Sequence, residues 1–232
     1  MDWKNKVIYQ IYPRSFMDSS GSGTGDLNGI KVKVDYIKNL CVDYVWISPF
    51  FVSPQKDFGY DVSNYRRVDK LFGNNDDFKD LVELFHENDI KVIIDLVLSH
   101  TSDEHKWFKE SSKKIKNEYT DWYIWADGVE NKPPNNWLSV FGGSSWKWDP
   151  KKEQFYLHNF LESQPDLNFH NVDVQNQMLN EIQFWLDFGI DGFRFDVINF
   201  LFHDKGLRNN PYKDASEVRP LGFNKDNPYG LQ

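Results

Sequence analysis

The stretch Gly192-Phe193-Arg194-Phe195-Asp196 sets a guanidinium and a carboxylate two residues apart. In an extended chain that spacing sends both side chains to one side of the strand. A fixed cation beside a carboxylate keeps it ionised, as a carboxylate nucleophile must be, and orients it toward a reacting carbon. The same pair equally suits a buried ion pair that closes a barrel. A second group, Asp95-Leu96-Val97-Leu98-Ser99-His100, has its aspartate inside a strand-like run and its histidine just past the end. There the imidazole can donate to a substrate hydroxyl or serve as a satisfied structural group. A third, Asp57-Phe58-Gly59-Tyr60-Asp61, offers two carboxylates and a ring on one loop, a composition that a solvated turn shares.

The elements that must position these groups follow from the pattern. Val7-Ile8-Tyr9-Gln10-Ile11-Tyr12 reads as a buried strand, and Ile30, Val34, Ile37 and Leu40 carry helical spacing after it. Tyr44-Val45-Trp46-Ile47 is a second short strand, followed by a long loop and a helix over 77–88 that Asn75 or Asp76 can cap. Residues 91–96 form a third strand, β-branched and continuous as in a parallel sheet buried on both faces. Residues 101–168 break the rhythm with Trp, Asn, Pro133-Pro134 and Gly142-Gly143, too long for an ordinary connection. A helix over 174–188 and a strand over 192–197 then restore it.

Repeated strand-then-helix units with polar residues at the carboxyl ends of the strands predict an α/β fold. Four such units make the N-terminal half of a (β/α)8 TIM barrel, with an inserted domain after strand three. The expected division is 1–100 for barrel units one to three, 101–168 for the insertion, and 169–232 for unit four and the loop that follows. A doubly wound sheet is the rival, but Tyr12-Pro13-Arg14-Ser15 stands where its glycine-rich phosphate loop belongs.

Composition narrows the function. With 27 Lys and Arg against 35 Asp and Glu, the chain carries a net charge of -8, which disfavours nucleic acid and anionic membrane surfaces as partners. No run approaches the roughly 18 apolar residues of a membrane span, and the N-terminus lacks a signal-peptide h-region, so a soluble, cytoplasmic protein is expected. Nine Trp, eleven Tyr and nineteen Phe suit sugar platforms, but core filling accounts for most of such rings. The single cysteine, Cys41, is read as a small core residue.

Taken together, these pieces resemble glycoside hydrolase family 13, the α-amylase superfamily, over essentially the whole chain. Residues 95–100 look like its first conserved region and residues 192–196 like its second. Gln164-Pro165-Asp166-Leu167-Asn168 resembles the signature of its α-glucosidase and oligo-1,6-glucosidase branch. The resemblance implies a retaining, exo-acting α-glucosidase acting on short α-glucosides such as maltose. It implies Asp196 as nucleophile with Arg194 holding its charge, and Asp95 in a structural place. Asp57, Tyr60 and His100 would grip the sugar, with Phe141, Phe160 and Gln164 completing the pocket, and 101–168 would be the family's B domain.

Two features depart from the family. Its general acid, a glutamate of the fifth strand, has no match, since Glu217 lacks that context; the 232 residues are therefore expected to be an N-terminal portion, inactive alone. The first βα loop, Asp18-Ser19-Ser20-Gly21-Ser22-Gly23-Thr24-Gly25-Asp26, has serines where relatives carry charged calcium ligands. Asp18, Asp26 and the Thr24 carbonyl form at best a weakened site, and no cofactor is expected to be required. Val197 after the nucleophile resembles α-1,6-cleaving relatives, so an oligo-1,6-glucosidase stays open. So do a trehalose-6-phosphate hydrolase, which Lys205 and Arg208 do not decide, and a non-catalytic sugar-binding or assembly module. Oligomeric state is left open.

Overall fold

Residues 3–130 and 132–210 are described by the computed structural model. After a short 3-10 turn, β1 (Ile8–Ile11) leads into α1 (Pro13–Phe16), where Pro13 sits in the first turn, the helical position that tolerates its missing N–H. The single helix expected next is two, α2 (Leu27–Val32) and α3 (Val34–Asn39), broken at Lys33. Both turn their apolar side, Leu27, Ile30, Val34 and Ile37, into the core.

The strand β2 (Tyr44–Ile47) comes next. The segment read as a long loop contains an antiparallel hairpin, β3 (Phe51–Val52) and β4 (Asn64–Val68). Its strands are too short and irregular, with a register shift between Phe51 and Val52, for a period-two signal. Helix α4 (Asn75–Glu87) is capped by Asn74, one residue before the expected caps. Asn74 accepts from the Asp76 and Asp77 amides while the Asp77 side chain reaches back to the Asn74 N–H. That reciprocal pair satisfies three of the free donors at the helix start.

Strand β5 (Lys91–Val97) is followed by α5 (Lys106–Ser111), then β6 (Trp125–Ala126), β7 (Trp146–Asp149) and β8 (Gln154–Leu157). The last three form an antiparallel sheet of order β6-β8-β7 with its own small core of Ile124, Trp137, Trp146, Phe155 and Leu157. Helix α6 (Val172–Phe188), capped by Asn171 and stopped by Gly189 at φ 112°, returns the chain to β9 (Gly192–Asp196). Glycine suits that left-handed stop because it has no Cβ to clash.

The strands β1-β2-β5-β9 form one parallel sheet in sequence order. Its register lines up Ile11, Ile47 and Ile94, and sets Asp95 beside Arg194 and Val97 beside Asp196. This is the open, N-terminal half of a TIM barrel: among the described residues, β1 and β9 each pair on one side only. The stretch 101–168 leaves after β5 and is stitched back by the bridges His100 to Asp166 and Tyr123 to Leu167.

Most of the aromatics are structural. Trp185 is fully buried against Phe50, Phe51 and Phe78, with ring centroids 5.8, 5.3 and 5.6 Å away, and its indole N–H donates to the Tyr65 carbonyl at 2.8 Å. It thereby locks α6 to the hairpin and α4. Trp185→Ala is expected to cost about 3–5 kcal/mol, measured as a loss of unfolding free energy in urea.

Cys41 departs from its reading as a core residue. Helix α3 ends before it, a left-handed turn with φ 55° at Cys41 itself swings the side chain outward, and the thiol is exposed. Glu217 and the rest of 211–232, including the end of the segment assigned to unit four, lie outside the described residues.

Candidate active site

The chemistry-bearing residues converge where the parallel strands end. Asp95, 1% exposed on β5, is the hub: its carboxylate accepts from Trp46 Nε1 at 3.1 Å, from the Tyr60 hydroxyl at 3.2 Å and from Arg194 at 3.1 Å. The same guanidinium nitrogen also donates to Asp196. Three neighbouring strands thus each supply one part: β2 the indole, β5 a buried carboxylate, β9 the cation and the second carboxylate.

Burial and charge act against each other here. Burial lifts the Asp95 carboxyl to about 6, opposed by Arg194 and aided by the charge of Asp196. Asp196 is also raised by burial, with Arg194 and the Val197 backbone N–H pulling it back. The sequence reading gives Arg194 the task of keeping Asp196 ionised; in the structure that task is to offset desolvation, and Arg194 divides it between two acids. Arg194 also lies over the Trp46 ring, 5.0 Å from its centroid, an arrangement that favours a cation over a π face.

Asp57 faces the same space. Burial raises its carboxyl, the Gln164 amide at 2.8 Å opposes that, and the charges of Asp61 and Asp196 add to the rise. Gln164 is fully buried; its Oε1 accepts from the Leu161 amide at 3.0 Å, so it orients Asp57 from behind. Asp61 is equally buried and builds the loop by accepting from Ser53 Oγ, Lys56 N and Asp57 N. Tyr60 is half-buried, its hydroxyl raised first by burial and then by Asp95 and Asp196.

His100 is buried and its imidazole is pushed down to about 4 by that burial, so it is neutral at pH 7. Its Nε2 stands 3.2 Å from both the Tyr60 carbonyl and Gln164 Nε2, and its Nδ1 2.8 Å from Ser99 Oγ. The imidazole is therefore tied to the loop that carries Asp57 and Tyr60 and to the one that carries Gln164. Phe160 packs on it at 5.1 Å and reaches Phe141 at 6.2 Å and Phe200 at 5.2 Å. Phe141 itself is 61% exposed, a ring at the rim.

Three features escape the sequence reading. Trp46, one residue before the end of β2, pairs with Ile93, two residues from Asp95, and so lies on the face shared with Asp95. Phe200 follows β9 in a 3-10 turn that carries no periodic signal. Val197 takes φ 40° and ψ 40°, a left-handed conformation that strains a β-branched residue; that turn brings its N–H onto Asp196.

In the first βα loop the chain's own donors engage both aspartates. Asp18 Oδ1 accepts from Ser20 N, Ser20 Oγ and Gly21 N, and Oδ2 from Gly23 N at 2.7 Å. Those donors, Gly23 foremost, hold its carboxyl down at about 2. Asp26 caps α2 through the Gly29 amide and accepts both the N–H and the hydroxyl of Ser19. Both carboxylates are filled by hydrogen-bond donors, and neutral serines occupy the remaining positions.

Comparison with known proteins gives the family. The family described as "Alpha amylase, catalytic domain" matches residues 10–229. A probable alpha-glucosidase of Rhizobium meliloti (strain 1021) is 58% identical over 231 residues, 99% of this chain and 42% of that relative. An oligo-1,6-glucosidase of Bacillus cereus is 51% identical over 205 residues, 88% of this chain and 37% of that relative. Among solved structures, an alpha-glucosyl transfer enzyme, XgtA, superimposes with a TM-score of 0.92 at 59% identity, covering 99% of this chain and 43% of that one. The chain thus spans about two fifths of the length of the relatives it matches.

Proposed function

The chain belongs to the alpha-amylase family of glycoside hydrolases, and we propose that it carries the nucleophile and the sugar grip of a retaining, exo-acting α-glucosidase acting on short α-glucosides. The observation that supports this most is the sharing of Arg194 between Asp95 and Asp196, with Asp57 facing Asp196 across the same space. Asp196 attacks the anomeric carbon as the glycosidic bond breaks, and the charge spreading over the sugar ring in the transition state is met by its carboxylate. Asp57 accepts from ring hydroxyls, and Tyr60 offers its face to the sugar. His100, held neutral, fixes the loop bearing both.

The leaving oxygen needs a proton from an acid about 5–5.5 Å from the nucleophile. Among the described residues Arg194 is the side chain that hydrogen-bonds Asp196, and the resemblance offers no match for the family's acid. The 232 residues alone are therefore expected to form no product, since general-acid help is worth on the order of 10²–10⁴ in rate. The test of the reading is covalent: an active polypeptide containing these residues, treated with a slow fluoroglucoside, is expected to carry glucosyl label on the peptide that includes Asp196. Label elsewhere, or none with turnover intact, would overturn it.

Val197 supports a second reading on linkage. Its resemblance to α-1,6-cleaving relatives, together with the oligo-1,6-glucosidase likeness, favours isomaltose over maltose; assay of maltose, isomaltose and trehalose 6-phosphate side by side separates the three activities. Neither reading calls on a metal. Calcium held at 100 times its Kd would add about 2.7 kcal/mol to stability, so Tm is expected to be the same in EDTA as in excess calcium.

A further inference from the structure

A second concave feature lies away from Asp196, where the β3–β4 hairpin, the start of α5 and the outer side of α6 meet. Its volume is 890 Å³, and its lining includes Arg66, Arg67, Lys106 and Lys109 against two carboxylates, Glu104 and Glu181. On a chain of net charge -8 this is a local reversal of sign. Glu181 is occupied by Arg66 at 2.8 Å and by the Gln177 amide, and Glu104 lies 3.5 Å from Lys56. The lining carboxylates therefore do not neutralise Arg67, Lys106 or Lys109.

His105 is the buried donor of this groove. It is 4% exposed, and its Nδ1 accepts the Trp107 backbone N–H at 3.1 Å. A neutral imidazole that accepts at Nδ1 carries its proton on Nε2, and among the described residues that N–H has no acceptor. The ring is kept neutral because burial, then the charges of Lys106 and Lys109, push it down to about 3. An N–H donor on a residue that lines the groove, beside Arg67, Lys106 and Lys109, suits an acceptor of high negative charge.

We propose that this groove binds the phosphate group of a small phosphate monoester, a hexose phosphate in size. A monoester carries about -1.5 to -2 charges at pH 7 and three acceptor oxygens, matching two lysines, one arginine and a neutral N–H donor better than a carboxylate does. The volume lies within the range of small-molecule sites. Nothing in this assignment depends on the glycosidase reading, so either stands or falls without the other.

Titration calorimetry of the full 232-residue chain tests it, with inorganic phosphate, glucose 6-phosphate, glucose and acetate as probes. Phosphate and glucose 6-phosphate are expected to bind, the ester at least as tightly, with affinity falling as salt is raised; glucose and acetate are expected not to. Lys106→Glu/Lys109→Glu, both exposed positions, is expected to weaken phosphate binding about tenfold or more with Tm unchanged. His105→Asn, which keeps a capping acceptor, is expected to weaken it too. No heat with phosphate, equal affinity for glucose, or an unchanged Kd in the double variant would overturn the proposal.

Discussion

Asp196→Asn in an active polypeptide containing these residues is expected to remove turnover by at least about 10⁴-fold while leaving the fold in place. The amide is nearly isosteric and still accepts from Arg194, so the contact that orients it survives. What goes is the anionic oxygen that bonds to the anomeric carbon. Because the loss is confined to chemistry, the prediction is a fall in kcat with little change in the binding of a ground-state sugar. A variant that kept its kcat would take Asp196 out of the mechanism, whereas one that also lost its near-ultraviolet dichroism would report misfolding.

Arg194→Leu is expected to follow in size and to differ in pH dependence. Removing the guanidinium leaves Asp95 and Asp196 facing each other with burial opposed only by the Tyr60 hydroxyl and the Val197 N–H, and both carboxyls rise further. The nucleophile works ionised, so the acid limb of kcat/KM moves to higher pH and the deficit is larger at low pH than at high pH. A hydrogen bond to a charged group is worth about 1.5–3 kcal/mol, or about 10- to 10²-fold in rate. Arg194→Lys, which restores a charge without the shared fork, is expected to recover the pH profile more fully than the rate. Equal losses at every pH would assign Arg194 a purely structural place.

Much of the parallel sheet was legible because its strands are continuous apolar runs. Residues 44–47 and 91–97 are continuous apolar or nearly apolar runs, and such runs read clearly without alternation. The hairpin was not, since two residues of β3 and a bulge carry no period, and it forms only because Phe51 and Tyr65 are held by Trp185, far away in sequence. Arg194 and Asp196 could be placed on one side of their strand from spacing alone. That Asp95 shares the same guanidinium depends on register between β5 and β9, which no local pattern encodes. Gln164 illustrates the same limit: the residue belongs to the pocket, but its partner is Asp57, 107 positions earlier. The helix at 30–40 was misjudged for the opposite reason, since its apolar spacing runs unbroken through a backbone that breaks at Lys33.

The left-handed backbone at Val197 bears on which side chains that position can carry. A conformation of this kind costs a branched side chain about 1–3 kcal/mol, and threonine has the same branching at Cβ as valine. Exchanging one for the other swaps a methyl for a hydroxyl next to the attacking oxygen while leaving the torsional penalty nearly constant. Val197→Gly, by contrast, is expected to relax the turn and loosen its grip on the carboxylate.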